Sequence, residues 1–231
     1  MMSHVLVLSF LVSACGIRLG PSHTQQAYTN VENLRGQSVT MWQTGWSTLV
    51  QIPKVIDDEV KLLLRANIQP GAEGPCGPAY IRELMLSGSW LGTGNVFARA
   101  GSMESQAPFA VSVGDGPLEL LSNVNGTHFV NNSICTIRGK LDVKEPESWG
   151  PDVNLLIDAG GVTVEVQQHT MGRFNESSAM FDLFISGLET SGSVGGWTGD
   201  DGAPEVPKNC VSMIQLPGHF EQASSVVRFI K

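Results

Sequence analysis

The chain has 231 residues, with 14 Lys+Arg against 22 Asp+Glu and a formal net charge of −8 at pH 7. Phosphate-backbone affinity needs clustered Lys and Arg, and no basic run occurs, so nucleic-acid binding is set aside. An apolar content of 42% argues against wholesale disorder, while 26 Gly, 12 Pro and only 16% charged residues point to turns and β-structure.

Residues 1–16 are read as a secretory signal peptide. Residues 5–14 are apolar or small, too short for a bilayer that needs about 20, and small residues for cleavage follow at Ala14 and Gly16. A positive leading region is missing, and the alternative is a buried first strand. Val12-Ser13-Ala14-Cys15 also reads as a lipobox, which would anchor the chain through a lipid on Cys15. Residues 17–34 are expected to form a polar linker, 35–70 an N-terminal β subregion and 79–231 the main β domain. The breaker cluster at 70–78 around Cys76 marks the expected boundary.

From residue 38 onward, short strands alternate with turn chemistry. Residues 38–52 are rich in Thr, Val and Trp, break at Gly45 and end at Pro53, as an edge strand or hairpin would. Residues 57–68 suit a helix capped by Asp57 or a strand, and strand is preferred. Residues 79–91 alternate, with Tyr80, Leu84 and Leu86 facing one way, before Gly92-Thr93-Gly94 turns the chain into a strand at 95–100. Residues 108–113 lead into Gly114-Asp115-Gly116, and residues 128–138 carry Cys135 on a strand. The clearest hairpin is 153–168, around Gly160-Gly161, with Val162, Val164 and Val166 on one face. Residues 179–185 alternate again, with Phe181, Leu183 and Ile185 inward and Asp182 outward. This pattern predicts an all-β fold, an antiparallel sandwich or barrel-like domain with Gly-rich turns and little helix.

With the leader removed, Cys76, Cys135 and Cys210 remain. In an oxidising compartment one pair closes, and the third thiol is buried or bridges to a partner chain in a disulfide-linked dimer. Asn125, Asn131 and Asn175 head Asn-x-Ser/Thr sequons in polar stretches. These read as glycosylation sites or as plain polar turns.

Catalytic constellations are scarce. No Gly-x-Ser-x-Gly elbow occurs, and His4, His23, His128, His169 and His219 stand apart from each other. Asp115, Glu119, Asp158, Glu165 and Asp182 could supply the two carboxylates of a glycosidase, which lie about 5–9 Å apart. Among the tryptophans, Trp90 reads as core, whereas Trp149 and Trp197 lie in loop-like contexts and could stack on sugar rings. Within residues 181–202 a hydrophobic strand enters a glycine-dense turn ending in Asp200 and Asp201. Adjacent carboxylates beside flexible carbonyls suit Ca²⁺, with Thr198 and Glu205 as further donors, and a solvated acidic turn is the plain alternative. No other cofactor is expected.

The order of the Gly160-Gly161 hairpin, the next strand, and Ser193-Val194-Gly195-Gly196 through Gly199-Asp200-Asp201 resembles the end of a von Willebrand factor type D domain. It is also similar to the C-terminal domain of inter-α-trypsin inhibitor heavy chains. The resemblance covers residues 152–201. It implies an extracellular β-rich module for adhesion, matrix contact or assembly, with Asp200 and Asp201 toward calcium. The expected function is a secreted, non-enzymatic module for an extracellular protein or glycan. The alternatives are an extracellular carbohydrate hydrolase using a carboxylate pair and a carbohydrate-binding module.

Overall fold

The computed structural model describes residues 30–40, 43–55, 59–70, 79–92, 94–101, 109–120, 126–131, 135–142, 152–171, 178–202 and 226–229. The chain is an all-β sandwich. Its strands are β1 (Asn30–Glu32), β2 (Ser38–Thr40), β3 (Gly45–Ile52), β4 (Leu62–Pro70), β5 (Ala79–Ser87), β6 (Val96–Arg99) and β7 (Ala110–Val113). They continue with β8 (Glu119–Leu120), β9 (Thr127–Asn131), β10 (Cys135–Asp142), β11 (Asp152–Ala159), β12 (Val162–Met171), β13 (Ser178–Ser186) and β14 (Val226–Phe229). Among the described residues, one sheet runs β3-β4-β5-β6-β7-β8 and the other β2-β1-β14-β13-β12-β11-β10-β9. Helix is confined there to single 3₁₀ turns at Ser89–Leu91 and Leu188–Thr190.

Period-two alternation builds both layers. In β4, Leu62, Leu64, Ala66 and Ile68 turn inward while Leu63, Arg65 and Asn67 turn out, which settles the Leu62-Leu63-Leu64 ambiguity as strand. In the other sheet Leu155, Ile157, Val164, Val166, Phe181, Leu183 and Ile185 face the same core, and all are essentially inaccessible to solvent. Phe109 and Phe181 join the layers edge to face, with ring centroids 5.7 Å apart. Polar ties cross the same space. The Arg82 guanidinium donates to the Ala179 carbonyl, and buried Gln168 accepts from the Gly101 amide at 2.9 Å. Burial lowers the Arg82 pKa, opposed by the neighbouring Glu83 carboxylate.

The β11–β12 hairpin pairs Ala159 with Val162 across Gly160-Gly161, both at positive φ, as a two-residue loop of this kind requires. Trp90, on the 3₁₀ turn after β5 and not within a strand, lies against that loop. A side chain on Gly160 would meet its ring at 2.0 Å.

Three expectations change. The strands on either side of the cluster at 70–78 belong to one sheet, since β4 and β5 pair from Leu63↔Ser87 to Pro70↔Ala79. Part of the expected polar linker, at Asn30–Glu32, is strand β1. Tyr80 does not share a face with Leu84. Arg82 is an extra residue between Ile68↔Ile81 and Asn67↔Glu83, and this bulge puts Ile81 into the core. The sheets are antiparallel as expected, apart from β14, which lies parallel to both β1 and β13.

Candidate functional site

The glycine-dense segment after β13 is a clasp over a sheet edge. Strand β3 ends its sheet, and an open edge exposes unpaired backbone groups. Gly195 covers it by exchanging two backbone hydrogen bonds with Gln51 at 2.8 and 3.0 Å. The Trp197 and Thr198 amides donate to the Thr48 and Leu49 carbonyls, and the Thr198 hydroxyl donates to Leu49 at 2.6 Å. The Leu34 amide, just beyond β1 of the other sheet, donates to the Thr198 carbonyl at 2.9 Å. The segment therefore ties the two layers together.

This geometry reassigns the acidic pair. Asp200 Oδ1 lies 3.2 Å from the Arg35 guanidinium, and Asp201 Oδ1 lies 2.8 Å from Lys54 Nζ. Asp201 Oδ2 accepts the Gly196 amide at 2.9 Å. Oxygens already facing two separate cations do not form a Ca²⁺ cage, which needs six to eight oxygens around one ion. Among the described residues no group of three or more His, Cys, Asp or Glu could hold a metal. Among the described residues the two carboxylates face separate cations and share no common oxygen cage. Glu205 lies outside the described residues.

The hydrogen bond from Lys54, then that from the Gly196 amide, holds the Asp201 pKa below its ordinary value. A lowered folded value means the stabilisation is fully present above the usual carboxylate value of about 3.9. It is withdrawn as the pH falls through the lower folded value. With the Asp201 side chain 48% exposed, solvent screening limits the pair to less than about 1 kcal/mol. Asp201→Asn is expected to flatten the acid limb of stability below about pH 4 and to leave the neutral plateau nearly unchanged, as read by urea melts across pH.

Trp197 is likewise structural. It is 7% exposed and belongs to the core, so it offers no open ring to a sugar. Trp149 lies outside the described residues. The exposed tryptophan among those described is Trp46, with the Arg65 guanidinium 5.6 Å from its ring. Cys135 is buried in β10, where burial and then the Asp158 charge raise its thiol pKa. Cys76, Cys210, Asn125 and Asn175 lie outside the described residues, and Asn131 is the last residue of β9.

An open feature lies on the outward face of the eight-stranded sheet. Register puts His128 opposite Arg138, Arg138 opposite Leu156, and Leu156 opposite Glu165. One step along the same face, Lys140 stands opposite Asn154, and Asn154 opposite Gln167. A bulge at Phe129, between Arg138↔His128 and Ile137↔Val130, lets Phe129 and Val130 both pack on the core while His128 stays exposed. His128, Arg138, Lys140, Asn154, Leu156 and Glu165 line an open depression of about 490 Å³. Glu165 Oε1 forms its inner wall, fixed by the Asn154 and Gln167 side-chain amides at 2.7 and 2.9 Å. Arg138 and Lys140 are exposed, and neither joins an ion pair among the described residues.

The sequence-named acids divide accordingly. Asp158 and Glu165 share this outward face, Asp182 lies on the same side of its sheet but is buried where the sequence puts it outward, and Asp115 and Glu119 belong to the other sheet's β7–β8 end. Asp158 accepts the Thr163 hydroxyl at 2.7 Å, and Thr163 lies two residues from Glu165 on the same strand. Asp158 and Glu165 are thus diagonal cross-strand neighbours, about 7–8 Å apart in such pairs. Sequence reasoning missed His128, Arg138, Lys140 and Asn154 as a group. Their signal was that Arg138 and Lys140 share the polar phase of a strand whose apolar phase holds Cys135 and Ile137. Compared with protein-family models, with curated proteins and with solved structures, the chain finds no match.

Proposed function

We propose that the chain is a secreted, non-enzymatic β-sandwich module that contacts an extracellular protein or glycan. The apolar run at 5–14 and the resemblance over 152–201 support export and the module class. The observation that carries the contact is the depression around Arg138, Leu156 and Glu165, where polar groups converge on a sheet face without joining an ion pair among the described residues. Among the described residues no helix is long and apolar enough to cross a membrane.

A second reading, carbohydrate hydrolysis, is favoured by one observation: Asp158 and Glu165 lie on one face of adjacent strands as diagonal neighbours. A polysaccharide panel separates the two. The module retains ligands without releasing reducing ends. Release that Glu165→Gln abolishes, with the melting temperature preserved, would instead establish the hydrolase. The exported protein is expected to lack its first 14 or 16 residues by intact mass, and retention of Met1 would overturn export.

A further inference from the structure

We infer that the depression on the outward face of the eight-stranded sheet is a subsite for an acidic sugar, a hydroxylated ring bearing a carboxylate or sulfate. This rests on the binding-module reading and names the ligand class of that site.

Three features specify it. First, the depression carries two formal positive charges, Arg138 and Lys140, against the single carboxylate of Glu165, on an acidic protein whose formal net charge is −8. A polyanion repelled by most of the molecule is attracted here, and the planar Arg138 guanidinium suits two-point contact with carboxylate or sulfate oxygens. Second, Glu165 is an acceptor already oriented by Asn154 and Gln167, which suits ring hydroxyls. An anion-only site would gain nothing from a carboxylate in its wall. Third, Leu156 separates the basic rim from Glu165, giving an apolar floor for the C–H face of a ring. The volume of about 490 Å³ falls within the range of small-ligand sites, roughly 300–1,000 Å³. An extended acidic peptide is less well matched, because the depression lies on a sheet face whose backbone is already paired on both sides, and no strand can be added there.

The test is calorimetric titration of the full chain at physiological ionic strength with four probes. They are a sulfated glycosaminoglycan octasaccharide, an oligogalacturonate, a neutral cello-oligosaccharide and a short polyglutamate. At least one acidic sugar is expected to bind, more weakly as salt rises, and the neutral sugar not to bind. The sulfated and uronic arms show which anion is preferred. Arg138→Gln with Lys140→Gln is expected to weaken binding by tenfold or more, roughly the loss of one charge-assisted contact or two. Arg65→Gln, on the other sheet, is expected to leave it unchanged. Both positions of the double variant are exposed, so an unaltered melting curve confirms the fold. No binding of either acidic sugar, or binding indifferent to the double variant, overturns the subsite. Equal binding of the neutral sugar, or binding of polyglutamate alone, overturns it while leaving the module reading intact. Cleavage of a probe would overturn the module reading itself.

Discussion

Phe181→Ala is expected to destabilise the fold by about 3–5 kcal/mol, the cost of truncating a fully buried aromatic. For a domain of this size that lowers the melting temperature by on the order of 10 °C. Phe181 is the largest fully buried side chain and sits mid-strand in β13. Its ring meets Phe109, which precedes β7 of the other sheet, at an interplanar angle of 79°. Truncation therefore removes apolar area from both layers and an edge-to-face contact between them. Collapse into the space is resisted by β12, whose Gln168 pairs with Phe181. Phe181→Leu keeps most of the volume and is expected to cost about 1–1.5 kcal/mol. Chemical denaturation of both variants checks the claim. An alanine variant within about 1 kcal/mol of wild type would mean that the two sheets do not pack face to face at this point.

The contrast between that site and the acidic turn shows what could be read from the chain. Where structure follows from neighbours in sequence, the reading holds. Gly160-Gly161 admits a two-residue loop, which alone fixes Leu156 opposite Glu165 and Asn154 opposite Gln167, half of the proposed subsite. Where structure depends on remote partners, the reading fails for identifiable reasons. A bulge at Arg82 inserts one residue into an alternating pattern, so alternation alone puts Tyr80 on the wrong face, and residues 128–138 divide between the antiparallel strands β9 and β10. Trp197 sits among glycines and reads as an exposed loop residue, yet its amide donates to Thr48 and its ring enters the core. Nothing local reveals this. Asp200 and Asp201 look like cation ligands because they are adjacent. Their actual cations, Arg35 and Lys54, come from the opposite end of the sequence, with Arg35 165 residues away from Asp200. Strand β14 was unforeseen because four residues with one parallel partner on each side carry no turn signal.

The clasp gives the second large effect and separates its structural role from a ligand role. Gly199→Ala is expected to cost about 2–3 kcal/mol through overpacking. A Cβ at that position would lie 2.2 Å from the Val194 carbonyl oxygen, 2.6 Å from its carbon and 2.9 Å from the Gly195 carbonyl carbon. All three are backbone atoms, so no side chain can rotate away. Relief would require moving Val194 and Gly195, and Gly195 holds the pair of hydrogen bonds that covers Gln51 on β3. The clash is thus transmitted to the sheet edge and to Trp197 behind it. Gly202→Ala is the internal comparison. Its φ is +71°, but a Cβ there meets nothing within 4 Å, so only the left-handed backbone is penalised, by about 1–2 kcal/mol. Melting both variants with and without Ca²⁺ distinguishes the roles. A structural clasp predicts a larger loss for Gly199→Ala than for Gly202→Ala, with neither value nor the wild type moved by the ion. A calcium-dependent rise in wild-type melting temperature, lost in Gly199→Ala, would restore Asp200 and Asp201 as ligands, because an ion that binds only the folded state must stabilise it by mass action.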